Sequence, residues 1–448
     1  RYGLDAYNLG WNIYTTLDTE MQNHAEEAIF KNIEVYSERY GWIEKNNFAE
    51  ELGDQFFDQI VLNGPSIIFE AVDEADNSGS IFNKLVEIFE SHKIPDRYLR
   101  ALIADVQKDQ VTVLTENYDK EILIWDDQYD WARKRLNNKK GPKPDNFFDL
   151  VRKGDLVTLS NSESNQRIIQ IPPAEAAFVS MNPKNGHIKT YIGGTNFLKT
   201  KFDRVRQSFP QTGSSFKPFI YASAISRGYD ASSLINDAPI IFEDENLEDY
   251  WRPENYTKKF YGLTRLREAL VQSINIVSIK LLRNIGVENV RNDLQAFGFE
   301  KRRLPNDLSL ALGSSSFSPI EMTRAFSILV NEGEVQEPVY ITRVEDRNGN
   351  VIYEHQSFND SGVEDNINFP WINNEKNIKP IQLINEVGSV EDFDARSTYV
   401  VKDILREAMQ RGSNRRRIES ISRNDFGGKT GTTNDSISTW FSGFHEDL

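Results

Sequence analysis

Gly213-Ser214-Ser215-Phe216-Lys217-Pro218-Phe219 is the stretch from which this chain is best read. A glycine and a serine precede an apolar helical run, so Ser214 falls at a helix N-terminus, where free N–H groups favour negative charge. Lys217 follows three residues later, one turn up on the same face. Pro218 falls in the first turn, where its missing N–H costs little. A serine hydroxyl needs a partner base to become a nucleophile. A lysine that is partly desolvated and close to another cation loses its proton and can serve as that base. Alone, the pattern is better read as a helix-capping serine followed by a surface lysine.

Two further stretches, in order and widely spaced, change its weight. Ser273-Ile274-Asn275 sits inside the apolar run Leu270 to Val277. Polar groups there need partners. The serine suits a proton relay and the amide suits a peptide carbonyl, although two polar residues on one exposed helix face fit as well. Lys429-Thr430-Gly431-Thr432-Thr433 reads as an edge strand whose backbone is able to pair with an extended peptide. Gly431 removes a side chain where a second backbone approaches. Lys429, Thr430 and Thr432 offer a charge and hydroxyls to a carboxylate. A lysine-bearing edge strand with threonines suited to β-structure is the plainer alternative.

Bulk properties bound the rest. The 448 residues suffice for two or three domains, and 39% hydrophobic with 27% charged residues is ordinary globular composition. A net charge of -16 argues against nucleic acid as a partner. With no cysteine there is no disulfide, zinc-thiolate site or cysteine nucleophile. Five histidines without H-x-x-x-H spacing argue against a catalytic metal, and no cofactor is expected. No stretch approaches the length of a transmembrane helix. The chain starts at Arg1 and reads as a fragment of something longer, with the membrane anchor missing.

Along the chain, Trp11 to Leu17 predicts a strand, and Asp18 or Thr19 opens a helix to about Arg39. Residues 41 to 95 yield no definite element. Leu99–Val106, Val111–Leu114, Glu121–Trp125, Leu156–Leu159 and Arg167–Ile171 read as strands, interrupted by a loop over 137 to 146. They suit a small OB-type barrel or another small β-domain. Pro172-Pro173 marks a boundary. A hairpin follows over 176 to 192, turning at Asn185-Gly186. Helices are predicted over 214–227, 266–285, 287–297, 319–330 and 398–410, with strands at 339–345, 351–353 and 428–432. A sheet drawn from both ends of the sequence around a helical block makes the class α+β or α/β.

With these motifs on the page, the chain resembles the class A penicillin-binding proteins of the type one-A kind, which are bifunctional peptidoglycan synthases. The resemblance rests also on Leu310-Ala311-Leu312-Gly313-Ser314 with Pro319 and Met322, and on Gly427 to Asp435 with Trp440-Phe441-Ser442-Gly443. Tyr14 to Asp18, and Val179 to Pro183 with Gly186, complete it. It implies an α+β multidomain chain. Residues 1–45 would form a linker strand and helix packing on the transpeptidase, 46–172 an inserted OB-like β-barrel, and 173–448 a C-terminally incomplete penicillin-binding serine transpeptidase fold, with a sheet sandwiched by helices and an all-helical subdomain.

The same resemblance implies the roles. Ser214 is the acylated nucleophile and Lys217 its general base. Ser273 passes a proton to the leaving D-alanine, and Asn275 orients the donor peptide. Lys429 and Thr430 hold the donor's terminal carboxylate beside Gly431. The backbone N–H groups of Ser214 and Thr432 form the oxyanion hole. The implied partners are peptidoglycan stem peptides on lipid II-derived strands, β-lactams, and protein regulators docking on the OB-like domain. The implied location is the periplasmic side of the bacterial inner membrane. The glycosyltransferase domain and membrane helix of the family are absent, and Asp203 stands where the family usually has Asn, just before Arg204. The family's transpeptidase also continues beyond a point equivalent to Leu448. Two alternatives stay open: hydrolysis by the same serine, as a DD-carboxypeptidase or β-lactamase, and a partner-binding regulatory fragment. The acceptor amine, diaminopimelate or lysine, is not legible.

Overall fold

The structure is a computed structural model, and it describes residues 9–43, 45–64, 78–136, 139–160, 166–171, 174–197, 200–241, 251–355, 393–412, 415, 423–433 and 437–448. The Pro172-Pro173 boundary, Asn434-Asp435 and the first part of the predicted 137–146 loop lie outside the described residues. The chain divides into two compact units, one made of 1–22, 178–191 and 204–448, the other of 23–177 and 192–203.

The first elements in chain order are strand β1 (Asn12–Thr15) and helix α1 (Thr19–Tyr40). Helices α2 (Asp54–Asn63) and α3 (Ser78–Ser91) follow, in the stretch that gave no prediction. Strands β2 (Tyr98–Val106), β3 (Gln110–Thr115), β4 (Lys120–Ile124), β5 (Leu156–Ser160) and β6 (Ile168–Ile169) form one antiparallel sheet in the order β4-β3-β2-β5-β6. The predicted loop differs in part, because Lys139–Lys140 pairs back on Arg135–Leu136.

The core of this unit explains why β2 is apolar along most of its length instead of alternating. Side chains on a strand point to opposite faces in turn. Ala101 and Ile103 join one buried cluster with Val111, Val113, Val157 and Ile168. Leu102 and Ala104 join a second with Leu114 and Leu156. That second face is covered by Phe56, Phe57 and Ile60 of α2 and by Leu85, Ile88 and Phe89 of α3. Both faces of the sheet are therefore dry at its central strand, which carries apolar residues on both.

In the other unit, β7 (Phe178–Met181) and β8 (Ile188–Ile192) form the expected hairpin. Gly186 closes its turn at φ +73°. The Ser214 motif leads into helix α4 (Lys217–Ser226), and β9 (Leu234–Asp237) pairs with β10 (Gly262–Arg265). Then come α5 (Leu266–Val271), α6 (Asn275–Ile285), α7 (Val287–Asp293) and α8 (Pro319–Val330). Strands β11 (Ile341–Glu345) and β12 (Val351–Glu354) pair with each other, and β1 pairs with β11, so strands from before and after the helical block meet in one sheet, while the last two strands of the chain pair with each other in a sheet of their own. Helix α9 (Ala395–Arg411) precedes the hairpin of β13 (Gly427–Thr432) and β14 (Thr439–Phe444).

Helix α4 is apolar nearly all round, the mark of a central helix. Phe219, Ile220, Tyr221, Ala222 and Ala224 are buried among side chains of α5, α6, α8 and α9. Phe216 and Phe219 pack on Phe299 at ring distances of 5.1 and 5.0 Å, and Phe299 packs on Phe317 at 4.6 Å. A rigid aromatic block thus lies under the first turn of α4.

One prediction needs correction. The run 266–285 is two helices, α5 and α6, broken at Gln272–Ile274. Ser273 has φ +57°, a left-handed conformation that cannot continue a right-handed helix.

Candidate active site

Ser214 lies in a 3₁₀ turn, Gly213–Phe216, that runs directly into α4. The turn is held by backbone bonds: Gly213 N–H donates to the Gly313 carbonyl at 2.9 Å, and Thr212 N–H to the Ser315 carbonyl at 3.0 Å. Ser214 is half-buried, whereas Ser215, Phe216 and Lys217 are buried.

Strand β13 passes next to this turn, backbone against backbone. A Cβ on Gly431 would lie 2.3 Å from the Thr212 carbonyl oxygen and 3.0 Å from the Ser215 nitrogen. A Cβ on Gly213, at φ +54°, would lie 2.8 Å from the Thr432 carbonyl oxygen. Two glycines at facing positions therefore permit an approach that side chains would prevent. On its other edge β13 pairs with β14, and Thr433 N–H donates to the Ser438 carbonyl at 3.1 Å. Ladder bonds alternate along an antiparallel strand, so Thr432 and Thr430 turn their backbone groups away from β14. Trp440 of β14 donates from Nε1 to the Gln211 carbonyl at 2.9 Å, which ties the hairpin to the segment before Ser214.

The Lys217 amine has three acceptors. It donates to the Ser273 carbonyl at 2.7 Å, to Asn275 Oδ1 at 2.8 Å and to Ser273 Oγ at 3.3 Å. The left-handed turn at Ser273 aims that residue's carbonyl and hydroxyl at the same amine. Lys429 is 4% exposed, and its Nζ donates to the Thr430 carbonyl at 2.9 Å. Burial, with the positive charge of Lys429 as the second cause, holds Lys217 well below the usual lysine range. Burial pushes Lys429 down to about 7.

Every catalytic or substrate-binding residue expected from the sequence thus falls in this one unit. Lys217, Ser273 and Asn275 meet through hydrogen bonds, the Ser214 turn meets Gly431 and Thr432 through backbone contact, and Lys429 acts on Lys217 through its charge. Chemically, the arrangement holds a hydroxyl on the same helical turn as an amine of low proton affinity, beside a strand edge whose N–H groups are turned outward.

Sequence reasoning did not find Asn255, whose side chain accepts the Asn275 and Ile276 N–H groups at 3.0 and 3.2 Å. Nor did it find Trp440 as a tie to Gln211. Nothing local marks Asn255, which lies 20 positions before Asn275 in a polar loop.

A serine, two buried lysines and a glycine-bearing edge strand on an α+β scaffold define a class of acyl-transferring serine enzymes. The chain belongs to the penicillin-binding proteins: residues 176–446 match the penicillin-binding protein transpeptidase domain, and 69–174 match the penicillin-binding protein OB-like domain. It is similar to penicillin-binding protein 1A of Pseudomonas aeruginosa, with 33% identity over all of this chain and 53% of that protein. Penicillin-binding protein 1A of Vibrio cholerae shows 31% identity over 99% of this chain and 52% of its own length. The crystal structure of penicillin-binding protein 1A from Haemophilus influenzae superposes with a TM-score of 0.74, at 26% identity, covering 97% of this chain and 61% of that one. The chain therefore spans about half the length of the relatives it matches. Among the described residues no helix is long and apolar enough to cross a membrane.

Proposed function

We propose that this chain is a peptidoglycan DD-transpeptidase acting through an acyl-Ser214 intermediate, and a target of β-lactams. The observation that carries the reading is the Lys217 amine: buried, one turn from Ser214, and held by Ser273 and Asn275 close to a second buried lysine. Ser214 Oγ attacks the penultimate D-alanine carbonyl while Lys217 takes its proton. The backbone N–H groups of Ser214 and Thr432 receive the oxyanion, each such donor contributing about 3 kcal/mol to the barrier reduction. Collapse breaks the C–N bond, and Ser273 hands a proton to the departing D-alanine amine.

An acceptor amine of a second stem peptide then displaces Ser214 from the acyl group. Asn275 orients the donor peptide. Lys429 and Thr430 hold its terminal carboxylate, with Gly431 letting the strand approach. A β-lactam follows the same first step, but its leaving amine stays tethered and blocks the acceptor.

The donor is a peptidoglycan stem peptide, and the protein works on the periplasmic face of the inner membrane, anchored by a segment of its parent. The transpeptidase belongs to 173–448 and the OB-like part to 46–172. The test uses a synthetic acyl-D-Ala-D-Ala peptide and a soluble amine. The chain should release D-alanine and form the new amide, and Ser214→Ala should do neither. Release without amide formation would favour the carboxypeptidase reading, and release by Ser214→Ala would overturn the assignment.

A further inference from the structure

Helix α6 begins without a cap of its own. Its N-cap residue is Ile274, which offers no side-chain acceptor. The first N–H groups of a helix have no intrahelical partner. Here both Asn275 N–H and Ile276 N–H donate to Oδ1 of Asn255, at 3.0 and 3.2 Å. The cap is therefore borrowed from a loop 20 residues earlier in sequence.

The oxygen and nitrogen of an asparagine amide have nearly the same shape, so its neighbours decide which way it faces. Asn255 Nδ2 donates to both carboxylate oxygens of Asp237, at 3.0 and 2.9 Å, and to the Lys259 carbonyl at 2.8 Å. All three are acceptors, so only the amide nitrogen fits there, and the oxygen is forced toward α6. Asp237 ends β9, is 1% exposed, and also accepts the Tyr261 N–H at 2.9 Å. The same logic repeats one residue earlier. The Glu254 carbonyl accepts Asn275 Nδ2 at 2.8 Å, which forces Asn275 Oδ1 toward the Lys217 amine.

We propose that Asp237 and Asn255 are positioning residues for acylation. Asp237 fixes the orientation of Asn255, Asn255 fixes the start of α6, and through the Ser273–Asn275 turn the pair sets the acceptors of the Lys217 amine. Neither touches the Lys217 amine. The proposal deepens the transpeptidase reading and rests on it for its catalytic consequence.

The test measures, on the full chain, the rate of acylation by a fluorescent penicillin from about pH 5 to 9, the melting temperature, and hydrogen exchange across 273–279. Asn255→Ala and Asp237→Asn should each slow acylation at the optimum by about ten-fold or more. The acid limb is a second readout. The groups facing the Lys217 amine are Ser273 O and Oγ, Asn275 Oδ1 and the charge of Lys429. Displacing Asn275 removes an acceptor that favours the ammonium, so Lys217 loses its proton more readily and the acid limb moves to lower pH. Asn255→Asp places two carboxylates face to face, and adding Asp237→Asn should recover part of the loss.

Val290→Ala, buried in α7, serves as the stability control and should keep the wild-type acid limb. If Asn255→Ala does not fold, Asp237→Asn decides alone. The proposal is overturned if Asp237→Asn acylates within about two-fold of wild type with an unmoved limb, or if Val290→Ala gives the same loss and shift. If the wild-type chain takes no penicillin, the transpeptidase reading has failed, and exchange judges the positioning claim. Asp237→Asn must then speed exchange at 275 and 276 while leaving α8 protected, and unchanged exchange there would overturn it.

Discussion

Lys217 and Lys429 are both buried, and the positive charge of Lys429 adds to burial in lowering the proton affinity of Lys217. Placing two ammonium groups in one dry site is unfavourable for stability and useful for a base that must be neutral near pH 7.

The stability cost has a defined pH window. Burial lowers Lys429 from an ordinary 10.5 to about 7, so between those values the unfolded chain holds a proton that the folded chain lacks. Stability therefore rises with pH across that window, and the cost is fully present below pH 7. Lys429→Met should raise stability at pH 6 by about 2–4 kcal/mol, and the gain should shrink as pH approaches 10. Denaturant titrations at a series of pH values measure this. The same variant should lose at least about 100-fold in acylation rate.

Ser273 has φ +57° and supplies both a carbonyl and a hydroxyl to the Lys217 amine. Ser273→Gly and Ser273→Ala together separate the hydroxyl's part from that of the left-handed backbone. Both remove the hydroxyl and should slow acylation by about 10²-fold. Glycine tolerates the left-handed backbone, so Ser273→Gly should be more stable than Ser273→Ala by about 1 kcal/mol. Equal melting temperatures would contradict this reading of the backbone.

Gly431→Ala would put a methyl group 2.3 Å from the Thr212 carbonyl oxygen. Strand β13 must then move off the Ser214 turn. A loss of about 1–3 kcal/mol in stability is expected, with a larger proportional loss in penicillin labelling. Stability and labelling both at wild-type level would show that the two backbones do not approach as described.

Phe147 is fully buried and packs against Trp125 and Tyr129 at ring distances of 5.0 and 5.2 Å. Phe147→Ala should cost about 3–5 kcal/mol, read as a lower melting temperature of the OB-like unit. Acylation of Ser214 at 25 °C should persist, because Phe147 and Ser214 belong to different compact units.

The sequence carried much of this site and less of what holds it. Ser214, Lys217 and Lys429 were legible because three motifs, each weak alone, occur in order and widely spaced, and because the chain resembles a known family. The break at Ser273 was not, because Leu270 to Val277 holds neither proline nor glycine, and its polar residues Gln272, Ser273 and Asn275 are all compatible with a continuous helix. The stop depends on Asn255, held in turn by Asp237 from a separate strand, and such a contact has no local signal. Helices α2 and α3 were missed in an acidic stretch. Their need was nonetheless written elsewhere: Ala101, Leu102, Ile103 and Ala104 do not alternate, and a strand apolar on both faces requires a second cover. Strand β14 also went unread, although Trp440 and Phe441 were noted, because its identity as a strand comes from its pairing with β13.

The central claim is that Ser214 is the group acylated, with Lys217 as its base. Its most direct test is the intact mass of the chain after incubation with benzylpenicillin, followed by peptide mapping. The account predicts one penicilloyl adduct per chain, on the peptide carrying Ser214, absent in Ser214→Ala and at least about 100-fold slower to form in Lys217→Met. An adduct that persists in Ser214→Ala, or a folded wild-type chain that takes none, would contradict it.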